Sequence, residues 1–214
     1  MMLIMVGPAG SGKGTQARLL MEEFGYAQLS TGDMLRAEIK ADSDVGKQAE
    51  EIIAAGELMP DELMLAMIEA QLVKPAFAKG VIFDGFPRTL AQAEGLDAML
   101  NRLGRGLDRV IEMTVDEEAL IDRVTGRFTC ANCGEGYHDR YKMPSVEGVC
   151  DKCGHTVFTR RKDDNAEVMK TRLKSYHDQT KPLLPYYGGQ GVLRTVSGSQ
   201  ALDVVYADVK AALA

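Results

Sequence analysis

The chain has 214 residues, 45% of them hydrophobic and 26% charged, with a formal net charge of −6. This suffices for one sizeable α/β domain with insertions and a packed soluble core. The acidic balance argues against nucleic acid as the main partner, and no run approaches the roughly 18 apolar residues that a membrane span needs.

Residues 3–6 form a short apolar run of the kind buried in a parallel sheet. Gly7-Pro8-Ala9-Gly10-Ser11-Gly12-Lys13-Gly14-Thr15 follows, and residues 13–24 carry a helical pattern. Strand, glycine loop with lysine, then helix is the setting of a phosphate-binding loop. The glycines let backbone N–H groups turn inward around phosphate oxygens, and the helix N-terminus adds partial positive charge. Lys13 adds a cation that can follow a phosphoryl group as it transfers. The residue after Lys13 is Gly14, so the hydroxyl arrives one place late, at Thr15. That departure moves Mg²⁺ onto phosphates and waters, with an acid from elsewhere in the chain behind them.

Further along, residues 81–83 and 110–113 read as buried strands, with 27–29 and 193–196 as weaker candidates. Helical patterns cover residues 32–40, 45–55, 61–74, 90–103 and 117–124. Residues 165–187 read as a long helix bent near Pro182 and Pro185, and 199–213 as a last helix. This alternation predicts an α/β fold, a P-loop-type parallel sheet with helices on both faces and ligands at the carboxyl ends of the strands. The N-terminus opens straight into strand and loop, which is not a signal-peptide layout, so the cytoplasm is the expected compartment.

The strand at 81–83 runs into Asp84-Gly85-Phe86-Pro87-Arg88. A carboxylate at that strand end can hold Mg²⁺ through its waters beside the loop, although an Asp there also serves as a turn cap. Gly85 permits close approach by a ligand, and Arg88 points from the strand end towards the site.

Residues 127–164 break the pattern and read as an inserted small subdomain, rich in Gly, Cys and charge. It holds all four cysteines, as Cys130-x2-Cys133 and Cys150-x2-Cys153 separated by sixteen residues. Two such knuckles are the spacing of a zinc ribbon, whose metal supplies the folding energy that so small an insert lacks. Thiolates also suit iron or cobalt, disulfides or free thiols are the alternative, and His138 and His155 lie near enough to compete as ligands. The insert's basic and acidic residues nearly balance, which argues against a nucleic-acid ribbon. Arginines flank both hinges: Arg123 and Arg127 on one helical face at the entry, Arg160-Arg161 at the exit, and Arg172 on the next helix. Phosphoryl transfer spreads charge over equatorial oxygens and calls for several planar cations of this kind.

Together these segments resemble adenylate kinases of the long-lid bacterial type, in the nucleoside monophosphate kinase family, over essentially the whole chain. The motifs are the loop at residues 7–15 with its Gly14, Leu29-Ser30-Thr31-Gly32-Asp33-Met34-Leu35-Arg36, Asp84-Gly85-Phe86-Pro87-Arg88, Asp122-Arg123-x3-Arg127 and Arg161-x-Asp163-Asp164. The resemblance implies a core of residues 1–29, 60–126 and 165–214, an AMP-binding arm at 30–59 and a metal-binding lid at 127–164. It implies that Gly10, Ser11, Gly12, Lys13, Gly14 and Thr15 cradle ATP phosphates. Arg123, Arg127, Gly136 and Tyr137 would cover ATP, and Gln200 would approach its base through backbone. Thr31, Arg36, Glu57, Leu58, Met59, Gly85, Arg88 and Gln92 would bind AMP, and Arg161 and Arg172 would bridge the two nucleotides. The spacing to Asp163-Asp164 favours Arg161 over Arg160.

Lys13, Asp84, Arg88, Arg123, Arg161 and Arg172 are then the catalytic set, for Mg²⁺-dependent transfer between ATP and AMP that gives two ADP. The Gln92 carboxamide can pair with an adenine edge; relatives specific for UMP or CMP usually carry Asn at this offset. A UMP/CMP kinase or a GTP-dependent AMP kinase is the related alternative. A GTPase switch would carry an Asn-Lys-x-Asp motif, which the chain lacks. The implied protein is a monomer with a structural zinc and neither nucleic-acid nor membrane partners.

Overall fold

The computed structural model describes residues 1–214. Its centre is a five-stranded, all-parallel sheet in the order β2-β3-β1-β4-β8. The strands are β1 (Met2–Val6), β2 (Ala27–Ser30), β3 (Val81–Asp84), β4 (Arg109–Thr114) and β8 (Leu193–Ser197). Both weaker strand candidates therefore lie in the sheet, as its two edges. β1 is buried along its whole length, and its side chains alternate between two cores because successive Cβ atoms point to opposite faces. Leu3 and Met5 join Ala17, Leu20, Ile111, Val205 and Val209 beneath α1 (Lys13–Phe24) and α9 (Leu202–Leu213). Met2, Ile4 and Val6 join Phe83, Ile68, Leu96, Met99 and Tyr187 on the other face, under α4 (Asp61–Leu72), α5 (Leu90–Arg102) and α8 (Leu183–Gly189). A run hydrophobic on both faces is what a covered parallel strand requires. No helix is long and apolar enough to cross a membrane.

Between β2 and α4 lie α2 (Thr31–Lys40) and α3 (Asp44–Ala55), which pack against each other. Ser30 and Ser43 cap them, each side chain accepting from the backbone three residues on. After α6 (Glu117–Thr125), the inserted segment forms a separate antiparallel sheet in the order β6-β5-β7, from β5 (Arg127–Cys130), β6 (Gly136–His138) and β7 (Phe158–Thr159). Phe128, Tyr137 and Phe158 make its small aromatic core, with ring centroids 5.4–5.6 Å apart.

Two boundaries differ from the sequence reading. The helix expected over 61–74 ends at Leu72, because Lys74 precedes Pro75 and takes extended backbone. The long helix expected over 165–187 divides into α7 (Ala166–Ser175), a widened π turn at Tyr176–Thr180, and α8. The break precedes the prolines. The Lys181 N–H donates five residues back, to the Tyr176 carbonyl (2.8 Å), and Pro182 supplies no N–H to continue the ladder. The widened turn also presents the Thr180 hydroxyl, which donates to the Arg88 carbonyl at 3.0 Å.

β1 and β3 are neighbours whose outgoing connections run in opposite directions, one to β2 and the other to β4 across the sheet. Their carboxyl ends frame a crevice, and the glycine loop and Asp84 both open into it.

Gly46 lies where α3 crosses α2, and a Cβ there would overlap the Glu38 backbone. Helix propensity alone would make Gly46→Ala stabilising by about 1 kcal/mol, whereas backbone overlap reverses the sign. We expect Gly46→Ala to lower unfolding stability by ~1–3 kcal/mol in urea titration. Gly106→Ala, where a Cβ meets nothing within 4 Å, should stay within ~0.5 kcal/mol of the parent.

Candidate active site

The glycine loop turns through left-handed backbone at Gly10 (φ +84°) and Gly12 (φ +96°), a region closed to most side chains. Gly12 leads into α1 with no side-chain cap on the helix N-terminus; the N–H groups of Lys13 and Gly14 have no partner and remain available to an anion, while that of Thr15 donates to the Gly12 carbonyl at 3.0 Å. The Lys13 ammonium folds back across the loop and donates to the carbonyls of Gly7 (2.7 Å) and Pro8 (2.8 Å). Burial lowers its pKa to about 8, against the opposing pull of Asp84 and with the help of Arg88, Arg127 and Arg172.

Asp84, at the end of β3, accepts from the Gln28 carboxamide on β2 (2.8 Å). A Cβ at Gly14 would stand 3.6 Å from its Oδ2, so the missing side chain leaves the carboxylate facing the first turn of α1. Gly85 takes φ +77°, and its carbonyl accepts from Thr31 Oγ1 (2.9 Å) and Arg88 Nε (2.7 Å). A Cβ there would press on both side chains, 3.0 Å from the hydroxyl and 2.9 Å from the guanidinium. Burial pulls the Arg88 pKa down, with Asp84 opposing.

One cleft of about 1480 Å³ runs past the loop, Asp84 and these arginines. Every nucleotide-site residue expected from the sequence lines it: residues 10–15, Thr31, Arg36, Glu57, Leu58, Met59, Gly85, Arg88, Gln92, Arg123, Arg127, Gly136, Tyr137, Arg161, Arg172 and Gln200. Arg123 donates to the Gly198 carbonyl at 3.0 Å, beside Gln200. Arg161 lies 3.5 Å from Asp33, which also binds Arg36 at 2.5 Å. Arg160 turns elsewhere: it pairs with Asp139 (2.5 Å) and covers the Phe128 ring. Tyr137 contributes little side chain to the cleft, since it is 3% exposed and its hydroxyl is 3.3 Å from the Cys150 Sγ.

The sequence shows Asp163 and Asp164 as part of the exit motif and of the insert's charge balance, but not as the buried carboxylates that hold these arginines. Arg127 makes a bidentate pair with Asp164 (2.9 and 2.6 Å), and Arg172 pairs with Asp163. Even so, burial first and neighbouring arginines second lower Arg161 and Arg172 to about 10 each. Cations crowded beyond the local supply of acids make a site for a polyanion.

The four cysteine sulfurs lie within 4.8 Å of one another, with Cys130–Cys153 and Cys133–Cys150 each at 3.6 Å. A tetrahedral ion with thiolates at ~2.3 Å sets sulfurs about 3.8 Å apart, whereas a disulfide needs ~2.05 Å. The cluster is therefore a set of four thiols that can hold one metal ion, and neither histidine belongs to it. His138 is instead a pin at the base of the insert. Its Nδ1 accepts from the Arg140 N–H (3.0 Å), so Nε2 carries the proton and donates to the Asp122 carbonyl (3.0 Å).

A glycine loop with lysine, an acid on the neighbouring strand end and arginines converging on the same cleft define a P-loop phosphotransferase. A family model described as adenylate kinase matches residues 5–192. The chain is 52% identical over 213 residues to an adenylate kinase of Paramagnetospirillum magneticum, covering 100% of this chain and 96% of that one. It is 51% identical over 214 residues to an adenylate kinase of Novosphingobium aromaticivorans, covering 100% and 99%. Against one from Rhizobium etli it is 52% identical over 213 residues, again covering 100% and 99%. The chain belongs to the adenylate kinase family.

Phosphates brought to Lys13 would restore its ammonium form, so anion binding there would draw a proton wherever the free protein has lost it. Near pH 7 both states are protonated. Around pH 9 the free group, titrating at about 8, is mostly neutral while the complex holds the proton. Calorimetry of Mg-ATP binding in buffers of different ionisation enthalpy should show uptake of about one proton near pH 9 and almost none near pH 7.

Proposed function

We propose that the protein transfers the γ-phosphoryl group of Mg-ATP to AMP, reversibly, giving two ADP. The observation that carries this is one cleft lined by the phosphate loop, by the Gln92 amide and by Arg88, Arg161 and Arg172. The relatives' shared name supports the same reading.

ATP phosphates occupy the N–H groups of residues 10–15, and Lys13 leaves its loop carbonyls to follow the γ-phosphoryl group. Arg123 and Arg127 cover the triphosphate from the hinge of the insert, and Gln200 lies at the base. Thr31 and Arg36 hold AMP, the backbone at Glu57, Leu58 and Met59 lines its adenine, and Gln92 reads the adenine edge. That reading favours AMP over UMP or CMP as acceptor. Arg88 holds the attacking phosphate. Arg161 and Arg172 bind charge as it spreads over the equatorial oxygens. A phosphate monoester is already anionic, so no general base is required.

The chemistry of the donor set fits a hydrated Mg²⁺: the Asp84 carboxylate accepts one hydrogen bond, from Gln28, and would have acceptor capacity left for metal-bound waters. Mg²⁺ would neutralise and orient the ATP phosphates. The thiol cluster fits Zn²⁺ in a closed structural role, since four thiolates leave no open position. Residues 30–59 act as an AMP-binding arm and 127–164 as a lid, both closing on the core of residues 1–29, 60–126 and 165–214 to exclude water. One chain supplies every group named, which suits a monomer, and reduced thiols suit the cytoplasm.

Coupled assay of ADP formation from Mg-ATP and AMP tests the activity, with UMP, CMP and GMP as competing acceptors. Arg88→Ala should lower kcat by ~10²–10³-fold; near-normal turnover would remove Arg88 from the mechanism. Chelation of the thiol-bound metal should lower the thermal midpoint while leaving low-temperature activity largely intact. Loss of activity with no change in unfolding would give the metal a chemical role instead.

A further inference from the structure

Gln92 is 2% exposed and sits in the first turn of α5. Both ends of its carboxamide are engaged. Oε1 accepts the backbone N–H of Arg88 at 2.8 Å, and Nε2 donates to Asp61 Oδ1 at 2.7 Å. Asp61 comes from a different element, the first residue of α4. An amide N–H can only donate and a carboxylate can only accept, so the two partners fix which way round the amide stands. Turned over, it would set oxygen against the Asp61 carboxylate and NH₂ against the Arg88 N–H.

A carboxamide has two acceptor sites and two donor hydrogens. With one of each occupied, Gln92 has one acceptor and one donor left. That pair matches a purine edge with an exocyclic amine beside a ring nitrogen, which is adenine. A 6-oxo purine reverses donor and acceptor at those two positions and calls for the amide the other way round.

We propose that Asp61 is a positioning residue for acceptor specificity: with the Arg88 N–H, it locks the sense of the Gln92 carboxamide and thereby selects a 6-amino over a 6-oxo purine monophosphate. The inference rests on Gln92 reading the acceptor base. Asp61 is not one of the residues lining the cleft, so it acts through Gln92.

The test compares kcat/KM for AMP and for inosine monophosphate, a 6-oxo purine without guanine's 2-amino group. Asp61→Asn can face Gln92 with either an acceptor or a donor, and Asp61→Ala with neither. Each should lower the AMP-to-IMP ratio by about 5-fold or more, within the range one bidentate base contact carries. The change should fall on the acceptor KM, with the KM for Mg-ATP unmoved. Asp61 also stands at the N-terminus of α4, where an acid favours the helix. Loss of that structural role alone would weaken AMP and IMP equally, and the thermal midpoint of each variant reports it separately. A ratio within about twofold of the parent in both Asp61 variants, with Gln92→Ala collapsing it, overturns the role of Asp61 while Gln92 stands. An unchanged ratio in Gln92→Ala overturns the reading of Gln92 and this inference with it.

Discussion

Crowding of like charge in one cleft is the constraint on which the rest of the structure depends. Lys13 and Arg36, Arg88, Arg123, Arg127, Arg161 and Arg172 all line it, and burial is the leading cause of lowered pKa at four of them. Desolvating a cation is costly unless it is paired. The fold answers in two ways. Some cations are held by buried acids, as Arg127 and Arg172 are by Asp164 and Asp163. Others donate to carbonyls that the backbone turns towards them: Lys13 to Gly7 and Pro8, Arg88 to Gly85, Arg123 to Gly198. None of these contacts supplies the several negative charges of a nucleotide. On the proposed reading the nucleotide phosphates supply that charge and relieve the repulsion among cations already gathered in one cleft.

Such an arrangement needs a scaffold that does not yield. β1 provides it, buried from Met2 to Val6 between two cores. The glycine loop leaves its carboxyl end, and the strand is paired in register with β3, Met5 lying opposite Asp84. Ser30, at the end of β2, is in register with Asp84 from the other side. Three strand ends thus set the spacing of the phosphate loop, the acid and Thr31. Lys13, Arg36 and Arg88 sit on the segments that leave those ends, and the other arginines come from α6, the insert and α7.

What was legible in the sequence follows from the range of the interactions involved. Buried strands, the glycine loop and the Cys knuckles are local patterns, and all of them stand where they were read. Even the two edge strands showed as weaker apolar runs, at 27–29 and 193–196. Partnerships were harder to see. Asp61 meets Gln92 across 31 positions, and Gln28 meets Asp84 across 56. No period of 2 or 3.6 encodes such meetings, because they depend on how α4 leans on α5 and how β2 pairs with β3. The π turn at Tyr176–Thr180 was missed for a similar reason. The prolines drew attention to positions 182 and 185, whereas the widened turn lies just before them and carries the Thr180 bond to Arg88. Tyr137, expected to add a contact over ATP, does line the cleft, but its ring packs in the aromatic core of the very small sheet.

At its hinges the inserted segment is tied to the core by the buried Asp163–Arg172 pair and by His138 on the Asp122 carbonyl; away from them it meets the core and α3 through a few ion pairs. Glu135 meets Arg18 on α1 at 3.0 Å, Lys152 meets Glu22 on α1 at 2.5 Å, and Lys162 meets Glu50 on α3 at 3.8 Å. The two exposed pairs, of Lys152 and Lys162, contribute ~0.2–1 kcal/mol each and are screened by salt, while Arg18–Glu135 is half-buried. Lys162 is 97% exposed, which puts its pair at the weak end. Together they bias the segment towards the core without fixing it there. No apolar cluster joins the two: Phe128, Tyr137 and Phe158 pack among themselves and the cysteines. A closing element held by dry apolar contact would resist product release. One pinned at its hinges and met elsewhere by a few ion pairs leaves the decision to whatever neutralises Arg123, Arg127 and Arg161 beneath it. On the proposed reading that is the nucleotide phosphates, so closure follows substrate charge and reopening follows its departure.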